Sequence, residues 1–151
     1  MDGPVCLEYQ VEGDDFLAAG EASNNIKETL KMLGVPSGIC RRAAVVTYEV
    51  EMNLVIHAGG GTLKASISPE RLVIQAEDQG PGIPDVSLAI QEGFSTAPDH
   101  IREMGFGAGM GLPNIKRNSD EFGIETEVGR GTTVRSVIVF PQEPDRVTES
   151  Q

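Results

Sequence analysis

Residues 4–12 (PVCLEYQVE) alternate apolar and polar positions, the period-two pattern of a strand with one covered face, and are expected at a sheet edge. Gly13, Asp14 and Asp15 end that run, and either aspartate is placed to cap a following helix. That helix is expected over 16–33, where Phe16, Ala19, Ile26, Leu30 and Leu33 recur at near-helical spacing. Gly34 suits its C′ position and Pro36 opens the next turn. A second helix is expected over 37–57, broken by Gly59-Gly60-Gly61. Segments 62–68 (TLKASIS) and 71–77 (RLVIQAE) then read as a hairpin joined by Pro69 and Glu70. A loop over 78–84 (DQGPGIP) leads to Asp85, which suits the cap of a short helix over 86–92. Residues 94–104 show no clear period and read as a mobile loop. The run GFGAGMGL over 105–112 opens onto a helix extending to about residue 120. Segments 123–128 (GIETEV) and 132–140 (TTVRSVIVF) form a second strand pair across a turn at 129–131.

Strands paired as hairpins with helices between them imply a two-layer α/β sandwich, an α+β arrangement with a mixed, mainly antiparallel sheet and helices on one face. The glycine run lies after residue 100 and not directly after a first strand, which argues against a doubly wound Rossmann fold. One domain is expected over 1–141, with a disordered, proline-broken tail over 142–151.

Composition narrows the function classes. With 151 residues and 39% hydrophobic content the chain can bury one useful core. Its net charge of −11 gives no electrostatic footprint for nucleic acid or an anionic membrane. Cys6 and Cys40 form neither a metal-binding pattern nor a disulfide framework, and no apolar run is long enough to span a bilayer; a cytoplasmic location is expected. A phosphate-bearing ligand must therefore be held by local amides, a few cations or a metal ion.

The second helix carries the first candidate chemistry. With Glu49 at zero on a helical wheel, Asn53 falls at about 40° and His57 at about 80°. Glu51 falls roughly opposite, where solvent is expected. Glu49, Asn53 and His57 thus form a narrow polar stripe on a mostly apolar helix, and polar groups so placed need partners, in a ligand cleft or in a core network. The Asn53 amide oxygen is a hard neutral donor suited to Mg²⁺, which takes few protein ligands and shares substrate phosphates. Glu49, one turn earlier, is placed to hold a metal-bound water or to accept a proton from an attacking hydroxyl.

Glycines at 105, 107, 109 and 111 remove four Cβ atoms from one short segment, so its backbone can approach a ligand closely. A helix opening there turns free N–H groups toward the same space, an arrangement that suits a polyphosphate. Asp78, at a strand end, can accept from the amino group of adenine and would repel the carbonyl of guanine. The alternative is an Asx turn within its own loop. Gly80 and Gly82 leave room for a flat base on which Ile83 can pack. Thr132 and Thr133 offer hydroxyls nearby, or simply strand propensity.

Taken together, Glu49-xxx-Asn53-xxx-His57, Asp78-x-Gly80-x-Gly82, the Gly105–Gly111 run and Gly129-x-Gly131-Thr132-Thr133 resemble, in order, the four motifs of the GHKL ATP-binding superfamily. Gyrase, Hsp90-type chaperones, histidine kinases and MutL belong to it. The resemblance covers roughly residues 5–140 and, in the absence of a phosphoacceptor helix pair, looks most like the bacterial anti-sigma-factor and stressosome switch-type serine/threonine kinases. It implies a Bergerat-type ATP fold, with ATP and Mg²⁺ as cofactors. By the resemblance, Glu49 is the general base, Asn53 coordinates Mg²⁺, and His57 faces the nucleotide cleft. Asp78 reads the adenine amino group, while Gly80, Gly82 and Ile83 line the base pocket. Gly105, Gly107, Gly109, Met110 and Gly111 form the lid hinge and phosphate cradle, and Thr132 and Thr133 lie near the base. The implied partner is a STAS-domain antagonist phosphorylated on Ser or Thr, alongside a sigma factor, with a homodimer as one expected assembly of the chain itself. Two other readings stay open: a nucleotide-gated binding module with little catalysis, and a stand-alone ATPase domain of histidine-kinase type. The segment 97–104 is longer than a compact Gly-rich lid; its His100 and Arg102, like Lys116 and Arg117 beyond the cradle, suit a phosphate, a partner or plain solvent.

If the glycine run is a hinge and cradle, Gly109→Ala will weaken ATP binding and leave the fold largely intact; fluorescent-nucleotide titration beside a thermal melt checks this.

Overall fold

The structure is a computed structural model, described here for residues 4–15, 17–83, 85–86 and 111–142. The elements, in chain order, are β1 (Val5–Glu12), α1 (Glu21–Met32), α2 (Ser37–Ile56), β2 (Gly60–Ile67), β3 (Arg71–Asp78), α3 (Gly111–Arg117), β4 (Glu121–Glu127) and β5 (Gly131–Val139). The five strands form one sheet in the order β1-β2-β3-β5-β4. All four ladders are antiparallel, so the sheet is not mixed among the described residues. The two-layer arrangement otherwise follows the expectation, and β1 is an edge strand as its alternation implies.

The covered face of the sheet is set by strand periodicity. Leu72, Ile74 and Ala76 of β3 point to one side, with their register partners Ile138, Ser136 and Val134 of β5. Leu63, Ala65 and Ile67 of β2 join them, and Val5, Leu7, Tyr9 and Val11 complete the layer from the edge. Against this face packs α2, which buries Ile39, Cys40, Ala43, Val46, Val50 and Leu54 in the same core as Ile26 and Leu30 of α1 and Ile115 of α3. A helix this apolar has little choice of environment: it lies across the middle of the sheet, flanked by the two shorter helices.

Two expected helix boundaries move. The first helix begins at Glu21, not residue 16, because Gly20 sits at φ 100° and breaks the helical path. Residues 17–20 instead form a separate turn, in which Asp15 Oδ1 accepts from the Ala18 N–H at 3.1 Å. At the other end the C′ glycine reading holds. Gly34 has φ 81°, its N–H reaches Lys31 O at 3.0 Å and the Val35 N–H reaches Leu30 O at 3.1 Å, the paired bonds of a Schellman motif. The third helix ends at Arg117, sooner than expected, and β4 starts at Glu121. Residues 87–92 of the expected short helix, the loop at 94–104 and the tail beyond 142 lie outside the described residues.

Glu51 departs most from expectation. Placed opposite Glu49 on α2, it is not in solvent but 3% exposed. Its carboxylate accepts from the N–H groups of Gly20 at 3.0 Å, Ala22 at 3.3 Å and Ser23 at 3.0 Å. The start of α1 has no side-chain cap of its own. Glu51 supplies the missing acceptor from another helix and places a negative charge at the positive end of the α1 dipole. The solvent side of α2 is instead the arc of Arg41, Val45 and Tyr48. On the opposite flank Arg42 donates from Nε to Asn118 O at 3.1 Å and from Nη2 to Asp120 Oδ1 at 3.0 Å. Asp120 Oδ2 accepts from the Val139 N–H at 2.7 Å. That backbone bond and the Arg42 guanidinium hold the Asp120 carboxyl below its usual range.

Glu51→Ala leaves buried amides of α1 without an acceptor and is expected to cost about 2–4 kcal/mol, with Glu51→Gln costing less because one oxygen is kept. Urea unfolding of the two variants measures the difference.

Candidate nucleotide site

Three elements converge at one end of the helical layer. Asn53 and Glu49 project from adjacent turns of α2 toward the start of α3. A Cβ built on Gly111 would lie 3.1 Å from Asn53 Oδ1 and 3.6 Å from Glu49 Oε1. Gly111 therefore lets the α3 backbone approach both oxygens with no side chain between them. Three residues on, Asn114 Nδ2 donates to Glu49 Oε2 at 3.0 Å. Pro113 lies in the first turn of α3, where its missing N–H is tolerated, and it is buried with Ile115.

The strand-end half of the site is built from β3, β5 and the loop after β3. Asp78 Oδ1 accepts from the Gly80 N–H at 2.8 Å, the Asx turn that was one reading of this residue. Asp78 is in register with Thr132, and Thr132 with Thr126, so these three share the helix-covered face. Thr132 is 8% exposed, and its Oγ1 lies 2.8 Å from Thr126 Oγ1. Thr126 in turn accepts from the Ile83 N–H at 2.9 Å, and the Gly129 N–H reaches Pro81 O at 2.9 Å. The loop over 79–83 is thereby fastened to the β4–β5 turn. Gly82 is required there: at φ 81° its Cβ would stand 2.6 Å from Glu127 O. Gly80 also passes close to Ala58 O, at 2.8 Å for a Cβ, so the loop rests on the segment just after α2.

Thr133 does not join this group. Its register partners are Glu77 and Glu125, which puts it on the opposite face of the sheet from Asp78. His57 is the C-cap of α2, its N–H bonded to Asn53 O at 3.0 Å, and burial pushes its imidazole below the usual histidine range. Gly105, Gly107, Gly109 and Met110 lie outside the described residues. Of the cations weighed beyond the cradle, Lys116 and Arg117 are exposed, and Arg117 Nη1 donates to Asn114 Oδ1 at 2.9 Å.

Two participants escaped the sequence reading. Asn114 sits one turn into a helix whose first glycine was already singled out, and its i+3 spacing from Gly111 was the available signal. Thr126 occupies an inward position of an alternating strand, where a polar residue needs a partner; only the register shows that the partners are Thr132 and the 79–83 loop.

The donor set itself shows whether Mg²⁺ fits. An amide oxygen and a carboxylate oxygen face a side-chain-free backbone at Gly111, and among the described residues no cluster of three or more His, Cys, Asp or Glu offers a fuller cage. That is the sparse oxygen set Mg²⁺ accepts when phosphates supply further ligands. The set fits.

Residues 40–144 match the family described as histidine kinase-, DNA gyrase B-, and HSP90-like ATPase. The chain belongs to this family. Within the family it is similar to the serine/threonine-protein kinase RsbT of Bacillus subtilis (strain 168), with 33% identity over 141 residues, spanning 91% of this chain and 97% of that protein. It is also similar to the anti-sigma F factor of Thermoanaerobacter sp. (strain X514), with 36% identity over 92 residues, 58% of this chain and 61% of the relative. In fold it resembles the SiaB-SiaC complex from Pseudomonas aeruginosa, with a TM-score of 0.63 at 18% identity, covering 87% of this chain and 88% of that one. The mycobacterial sensor histidine kinase MprB gives 0.52 at 16%, covering 92% and 100%. Family membership implies ATP use and accounts for the order of the four motifs. Among the described residues no helix is long and apolar enough to cross a membrane.

Because His57 binds its proton less readily folded than unfolded, the unfolded state takes up more protons as pH falls below about 6.5, and stability declines from there until the lowered folded pKa is passed. Chemical denaturation at pH 7.5 and 5.5 should show a smaller decline for His57→Asn than for the wild type.

Proposed function

We propose that this chain is an ATP-dependent serine/threonine protein kinase of the anti-sigma-factor switch type, acting in the cytoplasm on a STAS-domain partner. The observation that carries the proposal is the meeting of Glu49, Asn53 and Gly111: a carboxylate and an amide oxygen side by side, against the last glycine of the phosphate-cradle motif. The likeness to RsbT over nearly the whole chain supports serine or threonine as the acceptor. The anti-sigma F relatives and the SiaB-SiaC neighbour support regulation through a partner protein.

In this reading Asp78 accepts from the adenine amino group through Oδ2, since Oδ1 is occupied by Gly80. Gly80, Gly82 and Ile83 wall the base, and Thr132 lies beside Asp78 with its hydroxyl tied to Thr126. Thr133 takes no part in the base pocket, being on the other face. His57, largely neutral at physiological pH, closes the end of α2 below the site. Gly105, Gly107, Gly109, Met110 and Gly111 hold the phosphates. Asn53 supplies a ligand for Mg²⁺, which when bound offsets phosphate charge in an otherwise acidic protein. Glu49 accepts the proton of the partner's hydroxyl as its oxygen bonds to the γ-phosphorus. The bond from phosphorus to the β–γ bridging oxygen then breaks and ADP leaves. Phosphoryl transfer is chiefly positioning and charge stabilisation, so one base and one metal ligand held by rigid α2 meet its needs. The whole of 1–141 acts as one kinase domain.

Glu49→Gln is expected to lower transfer of labelled γ-phosphate to a STAS-domain protein from the same genome by about 100-fold or more, with ATP affinity retained. Undiminished transfer by Glu49→Gln removes the base assignment. Loss of transfer with partner control intact favours nucleotide-gated sequestration instead.

A further inference from the structure

We infer that Asn114 is a positioning residue for the general base, holding one oxygen of Glu49 so that the other is presented to the acceptor hydroxyl. The inference rests on the kinase reading above and names a residue that none of the four motifs contains.

The two oxygens of Glu49 have different surroundings. Oε2 accepts from Asn114 Nδ2 at 3.0 Å. Oε1 lies on the side of Gly111 and Asn53, 3.6 Å from where a Gly111 Cβ would stand, and among the described residues no donor engages it. A carboxylate on a helix can swing about its side-chain torsions, and an anchored oxygen removes that freedom from the other. The anchor has a defined sense. Asn114 Oδ1 accepts from Arg117 Nη1 at 2.9 Å, and a guanidinium can only donate. With Oδ1 facing Arg117, the amide must present its N–H side to Glu49. Reversed, it would set a carbonyl oxygen against a carboxylate, with no proton between them. Arg117 thus orients Asn114, and Asn114 orients Glu49.

The backbone under this chain of bonds is itself tied down. Asn118 Nδ2 donates to Asn114 O at 2.9 Å, and Asn118 O accepts from Arg42 of α2 at 3.1 Å. The helix that carries the anchor is therefore fastened at its far end to the helix that carries the base. The position of the base is thus set from α3 through one amide.

The test compares Asn114→Ala and the near-isosteric Asn114→Asp with the wild type and Glu49→Gln, each checked by thermal melting and by ATP affinity. Two acceptors are used: a STAS-domain protein from the same genome, and water, read as phosphate release. Asn114→Ala is expected to lower kcat by about 10-fold to 100-fold with ATP affinity unchanged. Asn114→Asp, which puts a second carboxylate beside Glu49, should lower it further. In the Glu49→Gln background Asn114→Ala should have little additional effect, because it acts only through that base. The inference is overturned if Asn114→Ala keeps full kcat, if it changes ATP affinity and not kcat, or if its effect is the same in both backgrounds. Unimpaired Glu49→Gln would instead bring down the base assignment itself, so the two failures are told apart.

Discussion

The rotation of α2 about its own axis is the constraint on which the site depends, and Glu51 helps to set it. A carboxylate that is 3% exposed must have donors, and it finds them in the leading N–H groups of α1 and its N-cap Gly20. Those bonds turn the Glu51 side of α2 toward α1. By helical geometry the side bearing Glu49 and Asn53 then faces away from it, toward α3. Core packing alone is less directional, since α2 is apolar over most of its surface. A charge-assisted contact supplies the direction.

The site is consequently a joint and not a motif. Asn53 and Glu49 are presented by a helix held on both flanks, by Glu51 to α1 and by Arg42 to the end of α3 and, through Asp120, to β5. Gly111 and Asn114 come from α3, which follows the glycine run. Asp78 and Thr132 come from neighbouring strands, joined to the 79–83 loop through Thr126. Regular helices and strands carry the groups that need accuracy. This arrangement suits an enzyme whose chemistry is mainly placement of a hydroxyl, a base and a phosphate.

Much of this was legible in the residue order, for identifiable reasons. Strand alternation at 4–12, the Pro69-Glu70 hairpin and the Gly34 helix stop are local signals, and the structure keeps them because no tertiary contact opposes them. The pairing of Glu49 with Asn53 was legible because i, i+4 spacing is a property of the helix itself. The start of α1 was misjudged because Ala19 continues an apolar period that Gly20 interrupts, and the cap that makes the interruption tolerable lies 31 residues away. Thr132 and Thr133 were indistinguishable as neighbours, and the register of β5 against β3 separates them onto opposite faces.

What the sequence by itself determined is the inventory: an acidic chain with one domain's worth of core, strands and helices of the right period, and four motifs in the order of an ATP-binding family. Tertiary structure decided which carboxylate does which task. Glu49 and Glu51 are the same residue type, two positions apart on one helix. A helical wheel places them on opposite sides but cannot say which side meets solvent, a helix end or a glycine backbone. That depends on what packs there. Only the folded chain brings the amides of α1 to one carboxylate and Gly111 and Asn114 to the other, making the first a structural anchor and leaving the second beside a bare backbone.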